Sequence, residues 1–265
     1  MRLLTSECFR AFSTRTVPLF LAAAIAVGFL LMSGLILLGP EHMNPPMPPV
    51  DTEVGVRGLL GLLSLTAAIP VAMGSQLITS ELADGTYAIT LLTEPRRWRV
   101  IGAKLAVALV IGSLYGMLLA AGTIAGICLG STLAHLTPGL PVIEIVWLSL
   151  RLGASMALYT VLGVGIGALL QRPQICLVVI IGWFYFGESL LSGVPGIQIL
   201  YPWTPGGAAS AISGQSFVAD AISRTTGGIT VELLSPVLGA LVLLMYALAA
   251  SVVALATSAR RDVRV

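Results

Sequence analysis

The sequence predicts an all-α integral membrane protein with six transmembrane helices, and three observations carry that prediction. Of its 265 residues 57% are hydrophobic and only 10% charged, against about 25% charged in soluble domains. Mean hydropathy is +0.98. Apolar runs long enough to cross a hydrocarbon core, which takes roughly 20 residues, recur along the chain. Such a composition leaves too little polar surface for a soluble enzyme, a disordered tail or a nucleic-acid binder. The net charge of +2 is too small a bias to recruit a polyanion.

Residues 1–16 read as an interfacial helix, with Leu4, Cys8, Ala11 and Phe12 on one face and Arg2, Ser6, Arg10 and Ser13 on the other. A basic, half-apolar helix ahead of a span lies in the headgroup plane. The first span, 17–39, is uncharged, too long for a signal peptide core and followed by no small-x-small site, so it is read as uncleaved. The outer loop 40–57 holds Pro45-Pro46 and Pro48-Pro49 and should be extended, not helical.

Span two covers 58–79, with Pro70 predicting a kink. In the inner loop 80–103, Glu81 precedes a break at Asp84-Gly85, and Thr86 then caps a short helix to Thr93. Tyr87 and Leu91 share one face of it, as do Ala88 and Leu92. Pro95 suits the first turn of the next helix, and Arg96, Arg97, Arg99 and Lys104 suit an anionic membrane surface.

Span three covers 104–130. Residues 144–150 read as an interfacial lead-in to span four, 151–170, where Arg151 serves as an outer snorkelling anchor. Gly163-xxx-Gly167 in span four permits a close helix contact. A four-residue turn then leads to span five, 175–193. The segment 194–232, broken by prolines and glycines yet apolar, reads as outer re-entrant or interfacial helices anchored by Tyr201 and Trp203. Span six is 233–258.

Eleven of the fourteen basic residues fall on the side that holds both termini, which places the termini in the cytosol. Glu188 is the charge inside span five, and two roles are open to it. It either lines a translocation cavity, where it could meet a cationic compound, or lies near the outer interface, paired with Arg151 or capped by water.

Catalytic patterns are missing from the sequence. No GxSxG occurs, and the near miss Gly153–Ala157 is read as helix packing. His42 and His135 are too far apart for an HExxH-type metal site, and Cys8, Cys128 and Cys176 read as small apolar filler. A phosphate-binding loop ends in Gly-Lys-Ser/Thr, whereas Lys104, the one lysine, stands between Ala103 and Leu105. Any ATP used would therefore be hydrolysed by another polypeptide.

The run from Thr79 through Glu81, Gly85-Thr86, Leu91-Leu92, Pro95 and Arg97 to Ala103-Lys104 resembles the loop between spans two and three of ABC-2-type transporter permeases. Leu200-Tyr201-Pro202-Trp203-Thr204-Pro205 is similar to that family's proline-centred turn before its last span. The resemblance implies the permease subunit of an ABC exporter in a bacterial plasma membrane, moving a drug, antibiotic, peptide or lipid outward. It implies a dimer with an identical or homologous permease, on two copies of an ABC ATPase subunit that bind ATP and Mg. The short cytosolic helix would be the coupling helix, with Glu81, Thr86, Tyr87, Leu91, Leu92 and Arg97 at the ATPase contact. No catalytic residue, metal or cofactor is expected on this chain. The competing readings are an ion-coupled secondary transporter and a membrane-embedded lipid enzyme.

Overall fold

The computed structural model describes residues 2–43, 46–86, 92, 96–188, 190, 198–214 and 232–258. All regular structure among the described residues is helical. Hydrocarbon offers no partner to backbone N–H and C=O groups, and a helix satisfies them within one segment.

Helix α1 is Arg2–Ser13 and α2 is Thr16–Leu38. Then come α3 (Glu53–Leu62), a 3-10 segment (Leu63–Ala67) and α4 (Ala68–Ala83), end to end. Helices α5 (Arg97–Leu133) and α6 (Val142–Leu170) are the longest. Helix α7 is Pro173–Ile181 and continues as a π turn over Gly182–Gly187. A short 3-10 stretch, Gln198–Trp203, precedes α8 (Pro205–Ser213), and α9 is Pro236–Ser258.

Five runs are long and apolar enough to cross a membrane: Thr16–Leu38, Glu53–Ala83, Trp98–Leu133, Val142–Leu170 and Pro236–Ala256. The chain is a multi-pass membrane protein. At the expected fifth span stands a shorter apolar helix, Pro173–Gly187, and the residues after it lie partly outside the described set.

Helix α6 is the central post, packed against α4, α5, α8 and α9. Small residues set those approaches. A Cβ on Gly163 would lie 2.1 Å from the Val71 carbonyl oxygen, and one on Gly74 would lie 2.0 Å from that of Thr160. Thus the Gly163-xxx-Gly167 stripe does pack, against α4. Gly153 meets Gly116 of α5 backbone to backbone, so the Gly153–Ala157 near miss is indeed a packing surface. Leu19 and Leu30 of α2 and Val237 and Val252 of α9 are exposed, as lipid-facing side chains are.

Several helices begin earlier than hydropathy places them. The run of span two starts at Glu53 because Thr52 caps it, its side chain accepting from Gly55 N at 3.1 Å. Span three starts at Arg97, and span four at Val142. The supposed lead-in 144–150 is the first part of α6, where Arg57 holds Glu144 at 2.6 Å. Charged first turns project past the apolar core, so trimming at charges shortens the helix.

The irregularity near Pro70 lies upstream of it. Proline has no N–H and its ring crowds the carbonyl four residues back, Thr66, so the chain tightens to 3-10 geometry before α4. Loop 40–57 is not wholly extended: Pro40–His42 forms a 3-10 turn, and Val50 is buried with its carbonyl accepting from Gly139 N at 2.9 Å. In α1 the packed edge is Glu7 and Ala11, while Leu4, Phe9 and Phe12 are exposed. Of the apolar face read from the sequence, Ala11 is buried and Leu4 and Phe12 are exposed.

Candidate functional site: two buried polar centres

The first centre joins α1, α4 and α5 at the arginine-rich end of the bundle. Lys104 is only 2% exposed. An ammonium has three N–H donors, and all three are used. They reach Glu7 Oε2 at 2.8 Å, the Leu77 carbonyl at 3.0 Å, and Glu81 Oε1. Arg10 donates to Glu7 at 3.3 Å and also to Glu81 Oε1.

Local geometry explains the gathering. Glu7 and Arg10 are three apart on α1, and Leu77 and Glu81 four apart on α4, so each pair shares a helix face. Glu81 Oε2 is buried and has no hydrogen-bond partner among the described residues. Beside the joint lies a cavity of about 370 Å³ with this charged end and an apolar wall of Val17, Phe20, Met73 and Val107.

The joint brackets the inner loop. Glu81 stands just before the Asp84-Gly85 turn, where Gly85 has φ +71°, and Lys104 stands two turns into α5. Thr86 is exposed and its hydroxyl lies 3.4 Å from the Glu81 carbonyl. Leu92 is 85% exposed. Tyr87, Leu91 and the side chain of Arg97 lie outside the described residues.

The second centre is built around α8. Thr204 caps its start, accepting from Gly207 N at 3.2 Å, and Gly206 N donates to Glu188 Oε1 at 2.7 Å. At the other end Arg151 Nε donates to the Ile212 carbonyl at 2.8 Å, and a second guanidinium nitrogen reaches Ala211 at 3.4 Å. A carboxylate thus sits at the positive end of α8 and a guanidinium at the negative end. The two are not paired with each other, which corrects the Glu188–Arg151 pairing. Arg151 is a cap for a buried helix, not a free anchor.

Depth can be read from α6. Tyr159 donates to the Pro205 carbonyl at 2.9 Å, eight residues beyond Arg151, or about 12 Å along the axis. Helix α8 therefore runs antiparallel to α6 with its N-terminus deeper in the bundle. Of the segment 194–232, expected as outer re-entrant or interfacial helices, residues 194–197 and 215–231 lie outside the described residues. Two glycines let α8 in: a Cβ on Gly207 would lie 1.9 Å from the Tyr201 carbonyl, and one on Gly206 would lie 2.0 Å from Glu188 Oε2. Tyr201 is no interfacial anchor. It is 2% exposed, its hydroxyl 3.3 Å from Ser210 Oγ. Trp203 is half exposed, and its carbonyl accepts from Tyr246 at 3.0 Å.

Sequence reading missed Glu7, Tyr159 and Thr204. Glu7 is the first acid of the chain and the next is Glu41, so a lone acid in a basic helix was the available signal. Among the described residues no group of His, Cys, Asp and Glu could hold a metal ion. Comparison with known proteins finds no family model that matches the chain and no curated protein similar to it.

Proposed function

We propose that the chain is the permease subunit of an ATP-driven ABC exporter for a hydrophobic or amphipathic compound. In this reading it has six spans, with 175–193 as the fifth, α1 in the headgroup plane and both termini in the cytosol. It pairs with an identical or homologous permease on two ATPase subunits, which alone bind ATP and Mg.

One observation carries the reading. The loop flanks, Glu81 and Lys104, are tied to each other and to Glu7 and Arg10 of α1. A push on residues 84–96 would therefore move α1, α4 and α5 as one body. That is what a coupling loop requires, since an interface movement must reach rigid spans undiminished. The exposed Leu92 is in keeping with a docking residue, and Leu4, Phe9 and Phe12 of α1 with a lipid surface. The amphipathic cavity beside the joint is of the size ligand sites have. Basic residues on the loop side follow the positive-inside pattern.

The test is purification from the native membrane in mild detergent, with mass spectrometry of what co-elutes. A stoichiometric ABC ATPase is the expected result. An intact, folded chain that brings none would overturn the reading in favour of a secondary carrier or a lipid enzyme. Replacing Tyr87, Leu91 and Leu92 together with serine should abolish that association and leave membrane insertion unchanged.

A further inference from the structure

Two helical runs depart from α geometry, and they do so against each other. The 3-10 segment Leu63–Ala67 packs on the π turn Gly182–Gly187, and Tyr185 donates its hydroxyl to the Leu65 carbonyl at 3.1 Å. A five-residue 3-10 stretch inside a helix and a π turn are both uncommon; the first often marks a hinge or strain, and the second is frequent at functional sites. Backbone carbonyls in and just before the 3-10 segment are further served by local hydroxyls. Ser64 donates to Gly61 at 2.6 Å and Thr66 to Leu63 at 2.7 Å. Such hydroxyls keep carbonyls satisfied in hydrocarbon while the helical ladder is interrupted.

The position of the π turn in the chain gives it consequence. Glu188 is the very next residue, and its carboxylate holds Gly206 N at the deep end of α8. A π turn accommodates one residue more than an α turn. Returning it to α geometry shifts the register beyond it by one residue, which is about 100° of rotation about the helix axis. A rotation of that size carries Glu188 off the end of α8.

We propose that Gly182–Gly187 is a register switch in which the π turn, latched by Tyr185 on Leu65, delivers Glu188 to α8, and its return to α geometry releases α8. Gly182 has open space where a side chain would stand, so the start of the turn is free to rotate. Gly206 has no side chain to obstruct the departing carboxylate. The switch stands on this geometry alone and does not depend on an ATPase partner; in an exporter it would open the end of the bundle opposite the coupling loop.

The test is hydrogen–deuterium exchange of the full chain in lipid nanodiscs, read on peptides covering 198–214 with α5 peptides as the internal reference. Deleting Phe186, whose side chain is exposed, removes the extra residue and should raise exchange of α8 at least about fivefold with α5 unchanged. Unchanged α8 protection in the deletion would overturn the proposal. Should the deletion loosen α5 as well, the decision passes to point variants. Tyr185→Phe should raise α8 exchange several-fold in the native chain and add nothing in a Glu188→Ala background, because Tyr185 acts through Glu188. Equal increments in both backgrounds would make Tyr185 merely structural and sink the switch.

Discussion

The two polar centres hold charge in an apolar bundle by opposite means. At the α1–α4–α5 joint, ions hold ions: Lys104 is saturated by Glu7, Glu81 and a carbonyl, and each partner is largely buried. At α8, ions hold backbone, with Glu188 and Arg151 at opposite ends of one nine-residue helix. The first arrangement is reciprocal, so losing one member strands the others. In the second each charge faces a helix end, and neither depends on the other. Rigidity therefore belongs to the joint and replaceability to the α8 centre.

Mutations can break or sharpen that contrast. The largest effect should come from Lys104→Met, which leaves two buried carboxylates with only the half-exposed Arg10 between them. Its cost should be about 3–5 kcal/mol of unfolding free energy in reversible SDS titration. Adding Glu7→Gln should recover part of that loss. A double variant no more stable than Lys104→Met alone would mean the joint is not reciprocal. Next comes Gly207→Ala, whose Cβ meets a backbone carbonyl that has little room to move, at about 2–3 kcal/mol.

Arg151→Met strands the Ala211 and Ile212 carbonyls and should cost about 1–2 kcal/mol. It should also expose the 205–214 region to protease sooner than the rest of the bundle. Glu188→Gln keeps an acceptor oxygen for Gly206 N and should cost less than about 1 kcal/mol. The Arg151→Met and Glu188→Gln effects should add to within about 0.5 kcal/mol. Strong non-additivity there would erase the distinction between the centres. Smallest of all is Arg57→Ala, whose pairs with Glu53 and Glu144 are about a third exposed or more, at well under about 1 kcal/mol and vanishing in high salt.

Much of this molecule is legible in its sequence. Long uncharged runs announce α2, α6 and α9 because hydrocarbon demands length and apolarity from each helix. The Gly163-xxx-Gly167 stripe announces a close contact, and Asp84-Gly85 announces the turn at the end of α4. The illegible part is tertiary. Nothing local says that Glu7 faces Lys104, ninety-seven residues on. Glu188 reads as a charge in want of a counter-ion because nothing local joins it to the helix start that Thr204-Pro205 signals, whose Gly206 N lies eighteen residues on. The π turn is hidden for a related reason: its six residues, Gly-Trp-Phe-Tyr-Phe-Gly, are as apolar as any α-helical span.

Lys104 also makes the chain nearly blind to amine chemistry. The sequence has one lysine, and its nitrogen is fully engaged and out of solvent. Acylating reagents acting on the intact protein should therefore spare position 104. Whatever parts α1 from α4 and α5 would uncover that amine. Acylation at one mapped residue then becomes a native clock for opening of the joint, read without any introduced label.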